Sequence, residues 1–340
     1  MDEQFEFRVW DPSDEAIVDQ FVDVIKEAFG AERMDTSKRK EQFLWYHKMN
    51  PMGTSIVTYA VDKESGLIAA IRPLWWGRAV YDGESYFFVQ AVNASTRPRY
   101  QKLGLLRILT KMALEIASER KASFMYAFPN LGSGTYRGYT KLGAQDLGSF
   151  NYLVKPVRKR LRMLYLLLAH KDRLKRFQTR TDNFEFSDLP SDLNEVLKIR
   201  EKWRGIWYGG RDVDYYRWRI IVCPSWKYEL VENDDIIAFI RRGIRGDLNE
   251  IQLSEMLFRV EGKQISRSIK RLCQMLKERY EPDLISIALT HWHPYYNDFR
   301  NSGFYRAPDR TRLLTLPLVG CPNELKDSPW ALSSLDYDNH

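Results

Sequence analysis

The sequence predicts two copies of one α/β domain in tandem, and three observations carry that prediction. Short motifs recur in the same order in both halves. "FEFRVWDPSD" (5–14) is echoed by "FEFSDLPSD" (184–192), and "WYHKMNP" (45–51) by "WRIIVCP" (218–224). "YAVDKESGLIAAIR" (59–72) is echoed by "YELVENDDIIAFIR" (228–241), and "YTKLGA" (139–144) by "FRNSGF" (299–304). Within each half, strand-like runs bounded by turn residues alternate with stretches of helical period. The bulk composition, 44% hydrophobic and 29% charged over 340 residues, suits folded domains of this class.

Taken in order, residues 5–10 read as a strand. Asp11 is then a candidate N-cap, with Pro12 at the first helical position, for a helix over about 12–29 ended by Gly30. A second helix holds "SKRKEQFLWYHKM". Strands follow near 55–62, 67–76 and 85–93, with turns at "KESG" and "YDGE". Leu105, Ile108, Leu109, Met112 and Ile116 recur at helical spacing and predict a helix over about 104–119. "SFMYAF" reads as a strand, 136–142 as a short helix, and a last strand closes the first copy. The expected layout is a first domain over 1–150, a basic helical linker over 151–181, a second domain over 182–322, and an irregular polar appendage over 323–340.

Charge argues against a nucleic-acid binder. The net charge is +7, but residues 155–180 alone hold ten Lys/Arg against Asp172, and the rest of the chain carries 42 basic and 44 acidic residues. That segment also places Val157, Leu161, Leu164 and Leu168 on one helical stripe. Two readings stand: a helix packed between the domains, or a helix lying on an anionic membrane surface. Three scattered cysteines and an acidic N-terminus point to a reducing, cytoplasmic setting. His291 and His293 in "HWH" would share a face in a strand, but two imidazoles make no zinc site, so no metal is expected.

The stretch that carries chemistry is "VNASTRPRYQKLGLLR" (92–107). Strand, short loop, glycine and helix is the layout of an anion cradle, because the first N–H groups of a helix lack internal partners. Lys102 and Arg107 add positive charge around Gly104. The same layout also describes a plain turn.

The stretch resembles the cofactor loop of the GCN5-related N-acetyltransferases, whose pattern is Arg/Gln-x-x-Gly-x-Gly/Ala. Gln101 and Gly104 match, and Leu106 departs at the final position. Gly-x-Leu-Arg is similar to the version in the enhanced-intracellular-survival group, where tandem domains also occur. "TRPRYQKLG" resembles acetyltransferases found with surface-polysaccharide genes, as do "FPNLGSGTYRGYTKLGA" and "FLWYHKMNP". The resemblance implies a mixed, mostly antiparallel central sheet flanked by helices in each domain. It implies that acetyl-CoA is the cosubstrate. The amides of Gln101, Lys102, Leu103, Gly104, Leu105, Leu106 and Arg107 would hold its pyrophosphate. Val92, Ala94 and Thr96 would pair with the pantetheine, and Asn130 would hold cofactor or carbonyl. Tyr139, four residues before Gly143, falls where the family places a general-acid tyrosine, with Tyr136 as substitute; core packing is the other reading of Tyr139. No base is visible, since the strand positions that sometimes carry a carboxylate read Gln90 and Asn93.

The second copy reads "FRVEGKQISRSIKRL" (258–272) at the loop, with no Gln/Arg-x-x-Gly in register, and Phe299 in place of Tyr139. It is expected not to bind coenzyme A and to wall the acceptor site. The expected activity is N-acetyl transfer from acetyl-CoA to a primary amine of a small molecule. An amino sugar or sugar nucleotide of surface-polysaccharide assembly is the first candidate. The alternatives are an aminoglycoside or polyamine acceptor, a longer acyl donor, or a non-catalytic module that binds acyl-CoA or a partner.

Overall fold

The computed structural model describes residues 3–29, 39–158, 177–179, 188–307 and 311–336. Gly30, the start of the echo at 184–187, and the core of the basic linker at 159–176 lie outside the described residues.

The first half runs β1 (Phe5–Val9), α1 (Val18–Phe29), α2 (Arg39–His47), β2 (Ile56–Asp62), β3 (Ile68–Tyr81), β4 (Glu84–Ala91), β5 (Ser95–Thr96), α3 (Leu105–Glu119), β6 (Phe124–Ala127), α4 (Gly134–Lys141) and β7 (Gln145–Pro156). After β8 (Phe177–Thr179), the second half runs α5 (Leu193–Leu197), β9 (Trp207–Gly209), α6 (Val213–Tyr216), β10 (Glu229–Asn233), β11 (Ile236–Arg245), β12 (Leu248–Phe258), α7 (Gln264–Tyr280), β13 (Leu284–Thr290), α8 (Tyr296–Asn301), β14 (Tyr305–Arg306), β15 (Arg312–Pro317) and β16 (Trp330–Ala331).

The first helix starts later than Asp11 and Pro12 suggest. Asp11 accepts from the Ser13 amide in a tight turn, and Asp14 accepts from the amides of Ala16 and Ile17 just before the helix. The second aspartate therefore does the capping. In α3 the buried stripe is Leu105, Leu109, Ala113 and Ala117, flanked by Thr110 and Leu114. Ile108, Met112 and Ile116 are half-buried beside it.

The strands form one mixed, mostly antiparallel sheet in the order β1-β2-β3-β4-β6-β15-β7-β13-β12-β11-β10. Helix-flanked, it repeats one plan twice. The parallel pair β4·β6 of the first half is matched by the parallel pair β12·β13 of the second. Strands are exchanged at the join. β15, from the second half, lies between β6 and β7, and β7, from the first half, pairs with β13. A cut at residue 150 thus falls inside β7.

The echoed tryptophans meet where the halves join. Trp45 and Trp218 stack with ring centres 4.8 Å apart. Each indole N–H donates to the other's carbonyl, both at 3.1 Å. This reciprocal pair is what a two-fold relation between the copies requires. Stacking of this kind contributes about 0.5–1.5 kcal/mol beyond burial.

The segment after 322 is not an appendage. Leu325, Trp330 and Leu332 are buried, and β16 pairs with β9. Its polar residues satisfy backbone groups inside the fold, which is why its composition reads as a tail. Among the described residues, no helix is long and apolar enough to cross a membrane.

Candidate functional site

β4 and β6 run parallel only from Phe88↔Phe124 to Gln90↔Tyr126. Beyond that rung the chain bulges at 92–94, with Asn93 at φ 46°, and resumes against β3 as β5. Among the described residues, the edge of residues 92–96 that faces β6 is therefore left without a strand partner, a gap in pairing referred to below as the slot. Within it Val92 and Thr96 are buried and Ala94 is half-buried. The Thr96 carbonyl is already taken, because the Gln101 side chain donates to it at 3.3 Å. Gln101 thus ties the loop to the strand end and does not itself point into the loop's concavity.

The loop has the geometry of an anion nest. Lys102 lies at φ 67° and Gly104 at φ 77°, both left-handed, on either side of Leu103 and directly before α3. Alternating backbone hands turn successive N–H groups to one side. Among the described residues no protein acceptor takes the amides of Lys102, Leu103, Gly104, Leu105 or Leu106; the first capped amides of α3 are those of Arg107 and Ile108, which return to the Gly104 carbonyl. Five free donors at the positive end of a fifteen-residue helix, with exposed Lys102 and Arg107 alongside, fit a pyrophosphate. Leu106 leaves its own amide among the free ones. A Cβ on Gly104 would meet nothing within 4 Å, so the glycine is required by its φ and not by crowding.

Tyr139, on α4, packs with Leu74, Val89 and Met125 on the face covered by α3. Its hydroxyl accepts from Arg72 Nη2 at 2.6 Å. Tyr136 is placed differently. Its hydroxyl donates to Asp146 at 2.8 Å, which raises its pKa, and Asp146 also pairs with Arg312. Asn130 is exposed at the far lip of the slot, bridged through its backbone to Thr311.

The opposite face of the same rungs carries a narrow crevice whose free volume is only about 10 Å³, room for about one water. Trp75, Phe88, Tyr126 and Tyr215 form its walls, and Arg78, Arg211 and Asp336 bring charge. Gly77 is obligatory there, since a Cβ would sit 2.2 Å from the Phe88 ring. Asp336 stands beside the last rung, where Gln90 Nε2 donates to its carbonyl at 3.3 Å. Its carboxylate pairs with Arg211 and accepts from the Ser333 amide at 2.8 Å. Glu255, fully buried, takes Arg200 and Arg211 from below, and those guanidinium groups hold it in the charged form against its burial. Sequence reasoning missed Asp336 and Arg72, because only folding brings them to the slot.

Among the described residues the second copy has no such site. Before α7 only Gly262 is left-handed, and Lys263 is not. The space beyond the last β12·β13 rung, Leu253↔Ile287, is filled by the chain itself. Ala288 N donates to Ser334 Oγ at 2.8 Å, Thr290 N to the Leu332 carbonyl at 3.2 Å, and Leu289 bridges Ser333.

His291 and His293 fall in a turn after β13 and not in a strand, so they do not share a face. His293 is buried, with Nδ1 accepting from the Tyr295 amide. Among the described residues no three His, Cys, Asp or Glu are placed to hold a metal. Burial pushes His293 and also His47 down to about 3 from the usual 6.5. The unfolded chain binds these protons near pH 6.5, whereas the folded chain binds them only near pH 3. Stability is therefore full above pH 6.5 and is lost as pH falls. At pH 5 each histidine is expected to cost about 2 kcal/mol. Urea midpoints at pH 7.5 and 5 check this. Replacing both by Gln should flatten that part of the curve, and an unchanged slope would assign it to other groups.

Comparison with solved structures shows the architecture. The chain superimposes on a GCN5-related N-acetyltransferase from Anabaena variabilis with TM-score 0.62 and 11% identity, covering 91% of this chain and 72% of that one. The fold is that of the GCN5-related N-acetyltransferases. A probable N-acyltransferase from Enterococcus faecalis matches with TM-score 0.62 and 10% identity, over 92% of this chain and 73% of that one. Saccharomyces cerevisiae N-myristoyltransferase with bound myristoyl-CoA matches with TM-score 0.59 and 12% identity, over 92% and 82%. In sequence, no family model and no curated protein matches the chain. The N-acetyltransferase fold thus spans both halves, and the nest, slot and α4 tyrosine belong to the first.

Proposed function

We propose that the chain is an acyl-CoA-dependent N-acyltransferase that moves an acetyl group from acetyl-CoA to a primary amine of a small molecule. The observation that supports this most is the run of free amides at 102–106 beside the open edge of 92–96. Acetyl-CoA supplies an activated thioester. The nest holds its pyrophosphate, and the open strand edge carries the pantetheine toward Tyr139.

The acceptor approaches the mouth of the crevice on the other face, which must widen beyond its water-sized free volume to admit a sugar. Aromatic walls suit the apolar faces of a sugar ring, which favours an amino sugar or sugar nucleotide. A polyamine would need several carboxylates, and among the described residues the crevice is lined by one, Asp336, already shared with Arg211. The amine nitrogen attacks the carbonyl carbon and the carbon–sulfur bond breaks. Tyr139 protonates the departing thiolate, and Asp336 takes the surplus ammonium proton.

The test is release of coenzyme A thiol across a panel of amino sugars, nucleotide amino sugars, aminoglycosides and polyamines. Asp336→Asn should lower kcat/KM about tenfold near neutral pH. The deficit should shrink at high pH, where the amine arrives neutral. A deficit constant with pH would remove Asp336 as base. Acetyl-CoA binding without turnover across the panel would favour a non-catalytic acyl-CoA-binding module.

A further inference from the structure

Arg72 is among the largest fully buried side chains, at 1% exposure. Its single recorded hydrogen bond is the one from Nη2 to Tyr139 Oη, and its guanidinium carbon lies 5.2 Å from that ring's centre. Nε has no partner, and among the described residues no carboxylate pairs with Arg72. An uncompensated buried cation is costly. This one sits beside the slot. Arg72 pairs with Thr58, whose hydroxyl donates to the Leu109 carbonyl of α3, so it faces the α3 side. Its neighbours on β3 meet the bulged strand end, Ile71 opposite Ser95 and Pro73 accepting from the Val92 amide.

The hydrogen-bond logic of the pair is one-sided. A guanidinium only donates, so the phenol oxygen must accept from it. The phenol's own proton is then left for another acceptor. Tyr136, by contrast, already donates its hydrogen bond to Asp146. The second copy sharpens the contrast. Its echo "IIAFIR" keeps an arginine, Arg241, but Phe299 replaces the tyrosine and Arg241 Nε donates to Gln252 at 3.1 Å. The arginine–tyrosine pair occurs only in the copy that has the nest and an open slot.

We propose that Arg72 is the positioning residue of Tyr139: it fixes the hydroxyl as an acceptor from the guanidinium, turns the phenol proton toward the thioester sulfur, and holds the phenolate formed when that proton leaves. The carbonyl carbon gains nitrogen and loses sulfur, sulfur gains the phenol proton, and solvent restores the phenol. This rests on the acyltransferase reading above.

The experiment is a cycle of Arg72→Gln, Arg72→Lys and Tyr139→Phe, with kcat and KM for acetyl-CoA and the pH profile of each. Gln can accept the phenol proton, so Arg72→Gln should lower kcat about thirtyfold with KM changed by less than about twofold. Arg72→Lys, which only donates, should lose less and keeps the test open if the Gln variant does not fold. In the Tyr139→Phe background neither change should lower kcat further. Losses that multiply in the double variants, or that appear in KM, would overturn the proposal. So would full activity of both Arg72 variants in an active enzyme. A wild type that releases no coenzyme A removes the acyltransferase reading, and this inference with it.

Discussion

Gly104→Val is expected to weaken acetyl-CoA binding by about a hundredfold while leaving the fold intact. The two halves of that statement rest on different facts. A Cβ at Gly104 meets nothing within 4 Å, so no core contact is lost. But the residue sits at φ 77°, a region that costs an ordinary side chain about 1–2 kcal/mol and a β-branched one more. The loop will relax out of the left-handed region, and the amides of 102–106 will cease to converge. A hydrogen bond to a charged group is worth about 1.5–3 kcal/mol, so losing even two accounts for roughly a hundredfold. Calorimetric titration with acetyl-CoA measures the loss, and thermal unfolding confirms the fold. Gly104→Ala should fall between valine and wild type. Wild-type affinity in the valine variant would refute the cradle.

Tyr139→Phe is expected to lower kcat by about 10²–10³-fold with little change in KM for acetyl-CoA. The ring stays in its cluster with Leu74 and Met125, so packing is retained. What is lost is the phenol proton, which no protein acceptor among the described residues claims. Arg72 loses its partner at the same time, and stability should drop by about 1–3 kcal/mol. Tyr136→Phe is the control. Its hydroxyl is committed to Asp146, so turnover should change little. Equal turnover of wild type and Tyr139→Phe would remove the tyrosine from the chemistry.

Much of the fold could be read locally. The helical spacing through Leu105 and Leu109 and the apolar strand "IAAIR" carry their own periodicity, and the copies align because the same spacings recur. Gly104 was legible for the same reason, as a residue type that only certain backbone shapes demand. The second left-handed residue, Lys102, was not, because its conformation follows from the loop as a whole. Strand pairing across distant sequence leaves no local trace. Nothing in "RLLTLP" shows that β15 lies between β6 and β7, and nothing in "LSSLD" shows that Asp336 stands beside Gln90. Arg72 lies inside the strand expected over 67–76, and nothing in the sequence marks it as buried. Its burial depends on α4 folding over it, which brings Tyr139 to its guanidinium.

The exchange of β15 also sets a timetable for synthesis. β6 leaves the ribosome long before β15, and at about 5–20 residues per second the interval is on the order of ten seconds or more. Throughout it the nascent first half holds the nest but has an open gap where β15 belongs, with two unpaired strand edges. Asp336 arrives later still. The join of the two halves, with Asp336 beside Gln90, is therefore complete only after residue 336 has been made.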